Sequence, residues 1–192
     1  MGGSAKKEAS YADVLNAPPN KIAEIIHGEL VLSPRPAGPH TAAATALTGE
    51  IGPPFNRGRG GPGGWIILAE PELHLDRDVL VPDLAGWRRE TMPAVANEPY
   101  FQIRPDWICE VLSPSTERYD RAAKVALYAA AGVAHAWLVN PLQRTLEILR
   151  LSSATPGEWS AIGVHRDEAK VRAEPFQAVE LDLSILWRDV QL

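Results

Sequence analysis

The sequence predicts an α/β domain with a mixed central β-sheet flanked by helices, and three observations carry that prediction. Short β-rich runs bounded by glycine, proline or asparagine recur from residue 21 to residue 164. Helical patterns are interspersed among them, the best being STERYDRAAKVALYAAAG at 115–132. The chain has 192 residues, 45% of them hydrophobic and 22% charged, which suits one domain with a substantial core. Residues 11–192 are therefore expected to form a single domain. The opening MGGSAKKEAS, residues 1–10, lacks an apolar run and is expected to be a disordered tail.

Each element has a local justification. In SYADVLNAPP, Ser10 can cap a short helix that Pro18 and Pro19 stop. KIAEIIHGELVLS reads as a hairpin turning at His27-Gly28, where Gly28 can take a positive φ. Pro34, Pro36 and Pro39 stiffen the next connection, and an alanine-rich helix is expected from Thr41 to Ile51. NRGRGGPGG, residues 56–64, is a glycine-rich loop. WIILAEPELHL and VLVPDLAGW follow as β-rich segments around a turn at 76–78. RPDWICEVL contributes a strand over 106–112. In the long helix Ser115 or Thr116 can cap the start, and Gly132 suits the position after the end. HAWLVN and RTLEILRL pair around Asn140-Pro141. A short strand near 160–164 and a short helix near 183–187 complete the chain.

Composition narrows the function. Net charge is 19 − 24 = −5, so nucleic-acid binding must come from a local basic patch rather than a general field. The lone cysteine, Cys109, excludes an internal disulfide and a cysteine-based zinc site. With no signal peptide and no 18-residue apolar stretch, the expected location is the cytoplasm, with no membrane partner.

Two carboxylates stand where apolar residues are expected. Side chains alternate along a strand, so Trp107, Cys109 and Val111 share one face while Ile108, Glu110 and Leu112 share the other. Glu110 thus points into an apolar layer, where an isolated carboxylate is costly. Asp83 is placed similarly in VLVPDLAGW, with Pro82 before it marking an edge or an irregularity. On neighbouring strands, about 4 Å apart at an effective dielectric near 20, two carboxylates would repel by roughly 4 kcal/mol. A divalent cation with oxygen ligands, Mg²⁺ or Mn²⁺, resolves that conflict. Lys124, about two turns into the following helix, has the reach to help.

A PD pair on one strand, a glutamate on the next and a nearby lysine resemble the PD-(D/E)XK nuclease superfamily. More closely, EIIHGELVLSP, VPDLAGW, EVLSPSTERYDRAAKVALYAAAGV and AWLVNP resemble the Uma-two family of restriction-endonuclease-like proteins, over about residues 20–150 with a tail to 187. The resemblance implies a restriction-endonuclease-like fold and a Mg²⁺-dependent (or Mn²⁺-dependent) endonuclease acting on DNA. It implies that Asp83 and Glu110 hold the metal with the carbonyl of Val111. Lys124 would act on the attacking water or the phosphate, and Glu24 would be a fourth acidic residue, with Glu29 and Glu70 as runners-up. The superfamily lysine normally lies two residues after the glutamate, where this chain has Leu112; its place passes to Lys124. Asn140 stands where the family usually has aspartate. His40 resembles a family histidine placed before a helix, able to contact phosphate or to cap. Arg57, Arg59, Arg88, Arg118 and Arg121 are candidate DNA-phosphate contacts, with Arg89 beside Arg88. A homodimer would let two sites cut two strands.

Ordinary readings stand beside these. Glu110 can be a structural buried carboxylate and Asp83 a turn residue. Lys124 and Asp120 form an i,i+4 pair, which usually marks a solvated helix face. The glycine-rich loop lacks the GK[ST] ending of a phosphate-binding loop and reads as a surface loop. Tyr128 and Trp137 read as core, and Ser113 and Ser115 lack a nucleophile elbow. A second function class follows: a catalytically inactive module that keeps the fold and binds nucleic acid or protein.

Overall fold

The computed structural model describes residues 8–191; residues 1–7 of the expected tail lie outside them. Ala9 already donates its N–H to the Gly28 carbonyl at 2.8 Å. Helix α1 (Tyr11–Leu15) starts after Ser10, whose N–H and hydroxyl both donate to the Asp13 carboxylate. Strands β1 (Lys21–Ile26) and β2 (Glu29–Pro34) form the expected hairpin. His27 (φ 52°) and Gly28 (φ 76°) make its two-residue turn, the geometry that matches strand twist.

Helix α2 (Gly38–Ile51) begins earlier than Thr41, because Pro39 falls in the first turn, where a missing N–H is harmless. His40 is consequently inside the helix, not before it, and has no capping role. A π-helical turn (Gly52–Asn56) leads into the glycine-rich loop.

Two sheets follow where one run of strands was expected. β3 (Trp65–Ala69) is succeeded by β4 (Leu73–Leu75) and β5 (Asp78–Leu80). β4 and β5 join the hairpin in a small antiparallel sheet of order β2-β1-β5-β4. The chain then crosses through Val81, Pro82 and Asp83 to β6 (Leu84–Arg88), β7 (Trp107–Val111), β8 (His135–Asn140), β9 (Thr145–Leu151) and β10 (Trp159–Arg166). These, with β3, form the central sheet in the order β10-β9-β8-β7-β6-β3. β7 and β8 run parallel and the other neighbours antiparallel, so the sheet is mixed. β10 outruns its expected 160–164, with a bulge between Ala161 and Gly163.

The segment joining β7 to β8 is one continuous helical stretch of three parts. α3 (Glu117–Tyr119) passes into a π-helical turn (Asp120–Lys124) and then α4 (Val125–Ala130). Gly132 takes φ 79° just past its end, and the Val133 N–H returns to the Tyr128 carbonyl. Thr116 holds the N-cap position, but its hydroxyl meets Ser113 Oγ at 3.0 Å instead of a helix amide. The chain closes with β11 (Lys170–Val171), β12 (Leu181–Asp182) and α5 (Ser184–Trp187).

The alternation along β7 sorts the core. Trp107, Cys109 and Val111 pack with Ala43, Leu47 and Ile51 of α2 and with Phe176 and Trp187 of the C-terminal segment. Ile108 and Leu112 face Val125 and Tyr128, together with Ile26, Leu73 and Leu80 of the small sheet. Helices thus cover both faces of the central sheet. Among the described residues no helix is long and apolar enough to cross a membrane.

Candidate active site

The crossing between the two sheets positions the first carboxylate. Pro82 lacks the N–H that a ladder would need, and it sits where the chain changes sheet. Leu84 pairs with Cys109, so Asp83 lies just beyond the β6 ladder, facing the end of β7. Its Oδ2 accepts the Val111 N–H at 2.6 Å, and its Oδ1 lies 3.0 Å from His40 Nε2. His40 is buried in α2, and its Nδ1 has no partner.

Glu110, 2% exposed, projects from β7 toward the helical stretch. Its Oε1 accepts the Tyr128 hydroxyl at 2.8 Å and lies 2.9 Å from Lys124 Nζ. Glu24 comes from β1, on the same face as Ile26, and its Oε1 accepts the Val81 N–H at 2.8 Å. That same oxygen is 3.0 Å from Lys124 Nζ. The ammonium also donates to the Val81 carbonyl at 3.1 Å and stands 3.7 Å from Asp120 Oδ1. Glu24, Glu110 and Val81 therefore take up the three donors of Lys124.

Lys124 reaches the strand from the helix, and Glu24 joins it rather than Glu29 or Glu70. Glu29 is exposed on β2, and Glu70 is exposed beside a groove described below. The Asp120–Lys124 pair is not a solvated face: the residues are 4% and 3% exposed. Tyr128 is core and also a hydrogen-bond partner of the cluster. The signal for both was their spacing, since positions 120, 124 and 128 fall four apart on one helix.

The arginines are more scattered. Arg57 borders the groove, while Arg59 and Arg118 are exposed. Arg88 is at the end of β6 away from Asp83, with its guanidinium 4.6 Å over the Trp65 ring. Arg121 is engaged by Glu147 at 2.6 Å and Glu117 at 2.8 Å, so it offers no unpaired charge. Arg35, not singled out from sequence, lines the cluster's cavity and donates to the Pro19 carbonyl.

Four carboxylates here contact or adjoin a single ammonium. Burial pushes the Glu110 carboxyl well above the usual range; Lys124 opposes this, while Asp120, Asp83 and Glu24 add to it. Burial raises Asp120 too, against Lys124 and a hydrogen bond to Thr116. For Lys124 burial acts downward, but Glu110, Glu24 and Asp120 together hold the ammonium well above its ordinary value. Tyr128 is raised by burial and by Glu110. Lys124 is thus a protonated, fixed charge amid the carboxyl groups.

A cavity of about 40 Å³ opens among these groups, lined by Glu24, Asp83, Glu110, Asp120, Lys124 and His40. It has room for a small ion or a water molecule, not for a nucleotide. Among the described residues no three histidine, cysteine or acidic side chains are already arranged as a metal cage. Mg²⁺ does not require one, since it commonly takes one or two carboxylates and keeps several waters. Asp83 and Glu110 suit that demand, since both put hard carboxyl oxygens at the cavity, whereas Val111 is not among its lining residues.

A family model described as "Putative restriction endonuclease", Uma2, matches residues 9–185. The chain belongs to the Uma2 family. A search of curated proteins found no match. Among solved structures, this Uma2 chain resembles a protein from Anabaena variabilis ATCC 29413 described as a putative nuclease belonging to DUF820. The TM-score is 0.73 at 22% identity, covering 94% of this chain and 98% of the other. At that identity the likeness concerns the fold: a mixed sheet flanked by helices, as the sequence predicts.

Proposed function

We propose that this Uma2 protein is a Mg²⁺-dependent (or Mn²⁺-dependent) endonuclease that hydrolyses phosphodiester bonds in DNA. One observation carries the reading: carboxylates from β1, the β5–β6 crossing, β7 and the following helix gather around Lys124 at a cavity of ion size. Asp83 and Glu110 are the residues to hold the metal. An ion held there would supply Lewis-acid chemistry, acidifying a water and offsetting charge on the scissile phosphate. Lys124 contributes a fixed positive charge to the developing phosphate charge; its raised pKa suits it to stabilisation rather than to accepting a proton. Burial holds the Glu110 carboxyl well above its ordinary range, with Lys124 opposing the shift. Glu24 orients Lys124, and His40 orients Asp83. Arg57, Arg59 and Arg118 are available for phosphates along the strand.

A second reading has its own observation. Lys124 is satisfied by Glu24, Glu110 and Val81 with no ligand added, as in a purely structural cluster. The domain would then bind nucleic acid or protein without cutting. Plasmid nicking in Mg²⁺ and in EDTA by wild type, Asp83→Ala, Glu110→Ala and Lys124→Ala separates the two. Metal-dependent nicking by wild type, lost in the variants, is expected. Equal nicking by all four proteins refutes these residue assignments, and no cleavage of any nucleic acid by wild type favours the binding module.

A further inference from the structure

A larger groove begins at Asp83 and His40, which it shares with the ion-sized cavity, and encloses about 620 Å³. It follows α2 past Thr41, Thr45 and Thr48 to Asn56 and Arg57. The helix from Thr41 to Gly52 gives it a length of roughly 16 Å. Ile67, Ala69 and Leu84 form the opposite wall.

Its charge is wrong for a duplex backbone. Among the described residues Arg57 is the one arginine lining it, against the carboxylates of Glu70 and Asp83, and no lysine does. A surface that follows duplex phosphates needs many cations, each neutralising one phosphate. Apolar walls with interspersed hydroxyl and amide groups instead match an unstacked base, which is uncharged and flat and presents a hydrogen-bonding edge.

Two glycines point the same way. Gly49 and Gly52 line the groove from α2 and its end, and a Cβ added at either meets nothing within 4 Å. Packing therefore does not demand them, although glycine is among the poorest helix formers. A side chain longer than alanine at either position would extend into the groove.

We infer that the groove receives an unpaired nucleotide with its base against α2, so the substrate is DNA that is single-stranded or unpaired at the cleavage position. This rests on the nuclease reading above and specifies its substrate. The scissile phosphate then lies at the mouth shared with the small cavity, beside Asp83.

Fluorescence anisotropy of the full chain in EDTA tests this without cleavage. The probes are a labelled oligothymidylate and a blunt duplex of the same length. The single strand is expected to bind about tenfold more tightly or better, because a duplex must first unpair and unstack a base. Gly49→Leu should abolish that preference at an unchanged or raised melting temperature, and Gly49→Ala should keep it. If Gly49→Leu unfolds, Thr45→Leu, at an exposed helix position facing the groove, replaces it. Equal or tighter binding of duplex, or undiminished preference in the filled variant, overturns the inference. Preference for unpaired DNA without any nicking refutes the nuclease reading alone; nicking without that preference refutes the base groove alone.

Discussion

Replacing Lys124 by methionine keeps most of the side-chain volume and removes the charge. Lys124 is 3% exposed and holds two carboxylates and a carbonyl within 3.1 Å. Removing one partner of a buried ion pair leaves the other uncompensated and costs about 3–5 kcal/mol. For a chain of this size that lowers Tm by roughly 6–20 °C, at about 2–4 °C per kcal/mol. The loss should depend on pH. Glu110 and Asp120 already have pKa values above their unfolded ones, and without Lys124 both rise further. A carboxyl raised in the folded state binds its proton more tightly there. Stability therefore falls as pH rises from the unfolded carboxylate value, about 4, through the folded one. The Lys124 contribution in wild type is fully present below the unfolded lysine pKa, near 10.4, and so is constant over that window. The deficit of Lys124→Met should accordingly be greatest near pH 8 and shrink toward pH 5. Urea unfolding followed by tryptophan fluorescence measures it, since Trp87, Trp107 and Trp137 are buried. A deficit below about 1 kcal/mol, the scale of an exposed pair, or one independent of pH, would refute the picture of a buried, charge-compensated cluster.

Other perturbations separate the cluster's parts. Tyr128→Phe removes one donor from Glu110 Oε1 while Lys124 stays, so a loss of about 1–2 kcal/mol is expected in the same unfolding assay. His40→Ala leaves Asp83 Oδ1 without its imidazole partner; metal affinity or nicking rate should fall about 10–100-fold, read from the Mg²⁺ dependence of plasmid nicking. Mg²⁺ at a hundredfold excess over its Kd should stabilise wild type by about 2.7 kcal/mol in differential scanning fluorimetry, and Asp83→Asn should abolish that rise.

What the sequence revealed was largely local. The turn at His27-Gly28, the strand carrying Glu110 and the stop at Gly132 each depend on neighbouring residues, and each lies where the pattern puts it. Asp83 and Glu110 stood out because a charge interrupts an apolar run. The errors came from distant partners. Asp120 and Lys124 form an i,i+4 pair of a kind common on surfaces; they are buried because β1 and the Val81 crossing cover them, at sequence separations the helix pattern does not contain. Arg121 seemed available until Glu147, on β9, came to neutralise it. The division into two sheets turns on Pro82, which sequence marked as an irregularity without saying where the chain would go.

The displaced lysine has a geometric rationale in the helix that carries it. Residues four apart on an ordinary α-helix advance by about 40° beyond a full turn, so a stripe of three such positions drifts around the cylinder. Asp120, Lys124 and Tyr128 form that stripe, and two of them meet the same oxygen of Glu110. The π-helical turn over Asp120–Lys124 widens the helix there and places more residues in the turn. Positions four apart then stay closer to one line than they would in an α-helix. The wide turn thereby brings Lys124 and Tyr128 to one oxygen of Glu110, with Asp120 3.7 Å from the same ammonium. Leu112, two residues after Glu110, is released to pack against the helix with Ile108 and Tyr128. Moving the lysine back, with Leu112→Lys and Lys124→Leu together, would bury a second charge in that apolar layer without restoring the stripe. The strand arrangement thus cannot be exchanged for the helical one by swapping two side chains.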